Sequence, residues 1–165
     1  MRANPVTVLD AAAPETGGSE RSARAREYFA ALVRHETNLW NLVEKRMRGE
    51  GVLSLARLEV LRVIEASPAG ARVQDVATGV GTSIAASSRL LDRLAADGLI
   101  ERSPDPTDRR SVRSALSAQG RDAYNTTQER FTQALDSVLT GADTEAMTIG
   151  IAALGRVQAA LEVAR

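Results

Sequence analysis

The sequence contains no cysteine, one histidine (His35) and one lysine (Lys45) among its 165 residues. The absence of cysteine excludes disulfides, thiolate metal sites and thiol-based redox sensing within this sequence. A single histidine cannot build a zinc site alone, so we expect neither a metal nor a cofactor. Aromatic residues make up only 3% of the chain while hydrophobic residues make up 44%. The core must therefore consist mainly of Leu, Val, Ala and Ile.

The chain also lacks an excess of either charge, since 21 basic residues balance 21 acidic ones. This balance argues against a non-specific polyanion binder, which is usually strongly basic. It remains compatible with a protein that places a few arginines at defined points. Arginine suits phosphates and guanine edges because its guanidinium is a planar fork. A genome-wide bias in base composition is the simpler explanation for the excess of arginine over lysine.

Long apolar runs are absent as well, and no stretch approaches the roughly 18 apolar residues of a membrane span. Pro5 and Asp10 interrupt the N-terminus, which therefore has no signal-peptide core. We expect a cytoplasmic protein with no membrane partner.

Apolar residues at helical spacing predict long helices at both ends of the chain. Residues 1–19 have no such pattern and predict a flexible arm. The N-terminal segment, residues 20–53, is predicted to be one helix whose pattern begins at Ser19 and ends at about Arg48. The C-terminal segment, residues 118–165, is predicted to contain two helices, from about Ser117 to Leu139 and from Asp143 to about Val163. These helices are longer and more apolar than lids on a small core need to be. We therefore expect them to form the interface of a homodimer.

The central block, residues 54–117, predicts a winged helix-turn-helix. A helix capped by Ser54 precedes a short helix at Val73–Gly79, a turn at Gly81 and a longer helix from Ser83 to Asp97. Two strands, Leu99–Ser103 and Val112–Leu116, then flank a turn-rich loop. The expected fold is mainly α with a small β-hairpin wing, in which long N- and C-terminal helices flank a winged helix-turn-helix core.

The longer helix has the two faces expected of a DNA-recognition helix. Its small and polar face lets the backbone approach base edges and offers an arginine to guanine. Thr82 or Ser83 caps the helix, which leaves a positive dipole end for phosphate. An ordinary amphipathic helix with a solvated face explains this pattern equally well. The candidate DNA contacts here are Thr82, Ser83, Ala85, Ala86, Ser88 and Arg89.

One residue of this helix does not fit the pattern. Ser87 falls on the inward face, where an aliphatic residue is expected. We expect its hydroxyl to donate a hydrogen bond back to the preceding turn.

The loop between the strands, PDPTDRR, carries Asp108, Arg109 and Arg110 as further candidate DNA contacts. We expect Asp108 to pair with the guanidinium of Arg110 and to hold it extended, while Arg109 stays free. An extended arginine on a thin hairpin suits the minor groove, where A·T tracts concentrate negative potential. A solvated charged turn is the simpler interpretation of the loop taken alone.

The segment GLIERSPDPTDRRSVRSALSAQG resembles the winged hairpin of MarR-type regulators, and SSRLLDRLAADGLIER resembles their recognition helix running into the first strand. Asp108, Arg110 and Leu116 match the family signature, and Ser117 stands for its usual threonine. The resemblance implies a homodimer that binds double-stranded DNA at a pseudo-palindromic operator, with recognition helices in major grooves and wings in flanking minor grooves.

The resemblance also implies a repressor that releases DNA when it binds a small molecule, often an aromatic or phenolic one. The pocket is expected where the long first helix meets the winged core, with His35 and Trp40 nearby. The simpler interpretation places Trp40 in the dimer core and makes His35 a solvated or capping residue.

Two other functions compete with this one. A winged helix can dock on another protein without touching DNA, although such a module has no need for the arginines of the loop. The sequence shows no nucleophile–base pair, metal cluster or phosphate loop, so we do not expect an enzyme.

Overall fold

The computed structural model of the protein describes residues 16–108 and 110–163. It is mainly helical and contains one antiparallel hairpin, which confirms the predicted fold class. The helices are α1 (Thr16–Met47), α2 (Leu55–Glu65), α3 (Val73–Val80), α4 (Ile84–Ala96), α5 (Ala118–Leu139) and α6 (Thr144–Val163), and the strands are β1 (Ile100–Pro104) and β2 (Val112–Leu116).

The element bounds agree with the sequence pattern to within a few residues, and the largest difference lies at the start of α1. This helix begins at Thr16 rather than Ser19 and contains Gly17 and Gly18, which the sequence pattern assigns to the flexible arm. A glycine weakens a helix by roughly 1 kcal/mol relative to alanine but does not end it as proline does. The rest of the predicted arm, residues 1–15, lies outside the described residues.

The described chain divides at Asn38 into two units, of which the second contains the winged core. Aliphatic side chains of α2, α3 and α4 form the centre of that core and are closed off by Leu99 and Ile100 at the start of the hairpin. A second cluster joins the end of α1 to α2 and α5 through Val43, Met47 and Leu58. The fully buried core residues are aliphatic apart from a few small polar groups, as the low aromatic content requires.

A tight turn joins α3 to α4. Gly81 has φ +72°, a left-handed conformation that favours glycine, and its N–H reaches back to the last turn of α3. Ser83 then caps α4, and its hydroxyl accepts a hydrogen bond from the Ala86 N–H at 3.2 Å. Of the two residues proposed as the cap of this helix, the structure therefore selects Ser83.

The cap of α2 differs from the prediction. Ser54 occupies the N-cap position but makes no side-chain cap hydrogen bond. The carboxylate of Glu44 on α1 instead accepts a hydrogen bond from the Leu55 N–H at 2.8 Å. A carboxylate is well suited to this place because the N-terminal end of a helix is electropositive.

The hairpin packs against the segment that leads into α3. Its register pairs Ile100 with Leu116 and Pro104 with Val112. Ala71 exchanges two backbone hydrogen bonds with Ser114, of 2.9 and 2.8 Å, and so extends the sheet by one bridge. The start of α3 and the wing are therefore joined through the backbone.

Close backbone contact also fixes the start of α5 beneath the hairpin. A Cβ at Gly120 would lie 1.7 Å from the Leu99 carbonyl oxygen, so this position admits no side chain. The Ser117 hydroxyl donates to the Gly98 carbonyl at 2.6 Å and accepts from the Gly120 N–H at 2.9 Å.

The last helix bears on the expectation that the chain has no membrane span. Helix α6 is long and apolar enough to cross a membrane by length and composition, and none of its residues is buried in the single chain. Glu145 and Arg156 interrupt the apolar run of α6 without lowering its mean hydropathy below that of a span, so a count of consecutive apolar residues does not detect it. A single helix of this kind is weak evidence for a membrane protein.

Ser87 is buried as predicted, but its hydroxyl does not bond back to the preceding turn. The Oγ atom is buried and has no hydrogen-bond partner among the described residues. A buried hydroxyl without a partner loses its hydration and gains nothing in return.

Replacing Ser87 by alanine should therefore stabilise the protein. We expect Ser87→Ala to raise the free energy of unfolding by about 1 kcal/mol more than Ser88→Ala does. The control removes the hydroxyl of the next, half-buried residue of the same helix, so both variants share the gain in helix propensity. Urea denaturation measures the difference, and a destabilised Ser87→Ala would contradict the structure at this point.

Candidate nucleic-acid interface

Helix α4 separates its side chains as the sequence pattern predicts. Ser87, Leu91 and Leu94 are buried against α2 and α3. The other face looks outward, where Ala85, Arg89 and Asp92 are exposed and Ala86 and Ser88 are half-buried. Thr82 and Ser83 are exposed at the N-terminal end of the helix. Their role in binding DNA stays a prediction.

An ion pair connects this outward face to the hairpin. Arg102 on β1 donates from Nη1 to Asp92 Oδ1 at 2.7 Å. The pair holds the middle of α4 beside the first strand, so that the helix and the wing border the same side of the core.

The tip of the wing is organised by Asp108, but not in the way predicted from the sequence. Its carboxylate accepts hydrogen bonds from the Arg110 backbone N–H at 3.0 Å and the Ser111 hydroxyl at 2.7 Å. The predicted pair with the Arg110 guanidinium is wrong, because an aspartate readily accepts from the backbone two residues further on in a turn. The bonds from Ser111 and Arg110 lower the pKa of Asp108.

The side chain of Arg110 is exposed and forms no ion pair within the part of the chain that the structure describes. It is thus available to an external anion. Arg109 lies outside the described residues.

The strongest electrostatic feature of the wing lies at its base rather than its tip. Asp105 is 1% exposed, and its Oδ2 accepts from Arg72 Nε and from Arg113 Nε, each at 2.7 Å. Its Oδ1 accepts from the Thr107 N–H at 2.8 Å and from the Thr107 hydroxyl at 2.7 Å. We call Asp105, Arg72 and Arg113 the wing clamp.

The wing clamp reaches both elements that the wing touches. Arg72 is the N-cap residue of α3, and its backbone N–H donates to Asp75 Oδ2 at 2.8 Å. Arg113 lies on β2 and also donates to the Gly70 carbonyl at 3.0 Å. One buried carboxylate therefore ties the loop, the second strand and the start of α3 together.

The charge state of Asp105 follows from these contacts. Burial by itself would raise the pKa of its carboxyl, since a low dielectric disfavours the charged form. The hydrogen bonds from Thr107, Arg72 and Arg113 outweigh burial and hold the pKa well below its usual range. The same contact raises the pKa of Arg72. The clamp is therefore ionic at neutral pH.

A cleft of about 360 Å³ lies between α4, the start of α3 and the wing. Its polar lining includes Ser88 and Ser111, and three arginines reach it, namely Arg72, Arg102 and Arg110. Arg72 and Arg102 are each held by a carboxylate. The cleft thus offers positioned donors of the type that phosphate oxygens accept.

Sequence reasoning missed the wing clamp, although a signal for part of it was present. The Pro-Asp-Pro-Thr sequence is typical of a turn in which aspartate accepts from its own loop, which identifies Asp105 and Thr107 as neighbours. Nothing local identifies Arg72 as a partner, because it lies 33 residues earlier in the chain.

The two candidate ligand-binding residues fall in different units of the structure. His35 belongs to the first unit and Trp40 to the second. Both are exposed, Trp40 to 38%, and neither lines the cleft between α4 and the wing. Their role in binding an effector stays a prediction.

Comparison with known proteins identifies the family of the winged core. Residues 53–112 match the sequence profile of the MarR family. The chain carries a MarR-family domain. None of the curated proteins searched matches the chain.

Solved structures share the fold of the MarR-family domain and of the helices around it. A MarR-family transcriptional regulator from Rhodococcus sp. RHA1 is 22% identical with a TM-score of 0.71, and the match covers 81% of this chain and 93% of that one. MarR from E. coli, in mutant form with operator DNA, is 21% identical with a TM-score of 0.69, covering 78% and 91%. BpsR from Bordetella bronchiseptica is 22% identical with a TM-score of 0.68, and the match covers 81% of this chain and 98% of that one. The DNA binding of BpsR is regulated by 6-hydroxynicotinic acid.

The contribution of the wing clamp to the stability of the MarR-family domain should depend on pH. We expect Asp105→Asn to lower the melting temperature at pH 7, because the neutral amide leaves two guanidinium groups without their counter-charge. The pKa of Asp105 is depressed on folding, so its stabilising effect is complete above the pKa of about 3.9 of an unfolded aspartate and declines as pH falls below it. The gap between wild type and variant should therefore narrow from pH 7 to pH 3.

Thermal melts monitored by circular dichroism measure this gap. Asp136→Asn is the matched control, because Asp136 is exposed on α5, and we expect it to melt like the wild type at pH 7. Equal melting temperatures for wild type and Asp105→Asn at pH 7 would show that the clamp does not stabilise the fold. A gap that widens in acid would contradict the lowered pKa of Asp105.

Proposed function

We propose that this protein is a sequence-specific DNA-binding transcriptional regulator, and that it acts in the cytoplasm as a homodimeric repressor on a pseudo-palindromic operator. The observation that carries the proposal is the joint placement of the outward face of α4 and the exposed Arg110 of the wing on either side of one arginine-lined cleft. This arrangement presents a helix to a major groove and a thin hairpin to the adjoining backbone and minor groove.

The chemistry of α4 supports major-groove binding. The exposed Ala85 allows close approach of the backbone, and Arg89, one turn further on, can reach a guanine edge. The capped N-terminus presents backbone N–H groups and a positive dipole end to a phosphate. These groups give local positive potential to a chain whose net charge is zero, which favours specific binding over general DNA coating.

The surface of α6 supports a homodimer. Five of its large apolar side chains, Ile149, Ile151, Leu154, Leu161 and Val163, are exposed, with Ile151 at 71%. This much exposed apolar surface on one helix favours burial against a partner. A second copy covers it better than a membrane does, because Arg156 lies within the helix, and an arginine near the centre of a span costs roughly 2.5–3.5 kcal/mol.

A small-molecule effector is part of the proposal. BpsR responds to 6-hydroxynicotinic acid, and a further relative, CouR from Rhodococcus jostii RHA1, was solved with p-coumaroyl-CoA bound. We propose that this chain also releases DNA on binding an aromatic or phenolic compound, with His35 and Trp40 as candidate contacts. Such a ligand must bind the DNA-free arrangement of the dimer more tightly than the DNA-bound one.

The wing provides the sharpest test of DNA binding. Duplexes recovered by the wild-type protein from a random library define its preferred site, and fluorescence anisotropy then measures affinity at several salt concentrations. We expect affinity to fall linearly on a log–log plot as salt rises, because phosphate contacts release counterions. Arg110→Ala should weaken binding roughly 5- to 150-fold, the scale of about 1–3 kcal/mol for one good groove contact.

The matched control is Arg130→Ala, which removes an equally exposed arginine from α5 and should bind like the wild type. If the two variants lose the same DNA affinity, the effect of Arg110→Ala comes from the change in overall charge and not from a contact of the wing. Failure to recover any duplex, or an affinity that does not depend on salt, would favour a winged helix that docks on another protein.

A further inference from the structure

Ile84 is a large apolar residue at the point of α4 where the other exposed residues are small or polar. It is the first residue of the helix and is 53% exposed. Ser83 before it and Ala85 after it are also exposed. Single exposed aliphatic residues are common on proteins, so the exposure of Ile84 gains meaning only from its position.

Ile84 borders a second cleft of the structure. This cleft, of about 390 Å³, lies between the end of α3 and the start of α4 and is also lined by Ala77, Thr78 and Thr82. Its β-branched side chain has fewer χ1 rotamers open to it than an unbranched one. Ile84 therefore presents a compact, partly exposed apolar group at the first turn of α4.

The first turn of a recognition helix is the part that contacts base edges. The only apolar group that a base pair presents in the major groove is the 5-methyl of thymine. We propose that Ile84 is a specificity-determining residue that selects thymine by contact with this methyl group. The inference rests on the proposed DNA-binding function and assigns one position of its site.

Replacing thymine by deoxyuridine tests the contact, because the exchange removes only the methyl group. In a duplex selected by the wild-type protein, thymines are replaced one at a time and affinity is measured by fluorescence anisotropy. We expect one thymine in each half-site at which deoxyuridine weakens wild-type binding about fourfold, the scale for burying one such group. Ile84→Ala should bind the duplex with thymine and the duplex with deoxyuridine at that position equally well. Ile84→Val should retain part of the preference for thymine.

Ala96→Ser is the matched control, since Ala96 is exposed at the opposite end of the same helix, and it should discriminate like the wild type. The inference is overturned if the affinity of the wild-type protein stays unchanged when deoxyuridine replaces any one of the thymines. This measurement needs no protein variant. The inference is also overturned if Ile84→Ala, folded by circular dichroism, keeps the full discrimination. Both results leave DNA binding itself intact, whereas failure to recover any duplex would remove the proposed function as well.

Discussion

The arrangement of the winged core depends on one buried carboxylate. Asp105 accepts from two guanidinium groups and from its own loop. Removing one partner from such a group leaves a charge buried without compensation, which is strongly unfavourable. The contacts of Arg72 and Arg113 are therefore coupled, and the wing keeps a fixed orientation relative to the start of α3. Because α3 packs on α4, the clamp also relates the hairpin to α4.

Local patterns in the sequence were sufficient for most of the secondary structure. Apolar spacing located the helices, Gly81 marked the turn, and the turn-rich loop PDPTDRR separated the two strands. These features depend on neighbours within about one helical turn. The confirmed fold class follows from their order, since two short helices and a hairpin between long helices allow few arrangements.

Most of the errors concern polar groups whose surroundings are set by tertiary packing. The cap of α2 comes from Glu44 rather than Ser54, and the main electrostatic contact of the wing belongs to Asp105 rather than Asp108. The Ser87 hydroxyl remains without a partner although a local acceptor was expected. In each case tertiary packing, which sequence spacing does not reveal, decides where the polar group finds or loses its partner.

The balanced net charge and the exposed surface of α6 are both explained if the protein binds DNA as a dimer. A neutral protein cannot rely on a general attraction to DNA, so the proposed function needs the arginines that contact DNA to be held in position. Two copies joined through α6 would present two such sites at a fixed spacing, which matches a pseudo-palindromic operator. Dimerisation would thus supply both cover for the apolar helix and much of the affinity.

The mass of the protein–DNA complex tests the central claim most directly. Light scattering in buffer without detergent, on a duplex selected by the protein itself, counts the chains on each duplex. The account predicts two copies of the 17.6 kDa chain per duplex, and a dimer in the absence of DNA. One chain per duplex, or a monomer that is recovered on lipid vesicles and not on DNA, would contradict it.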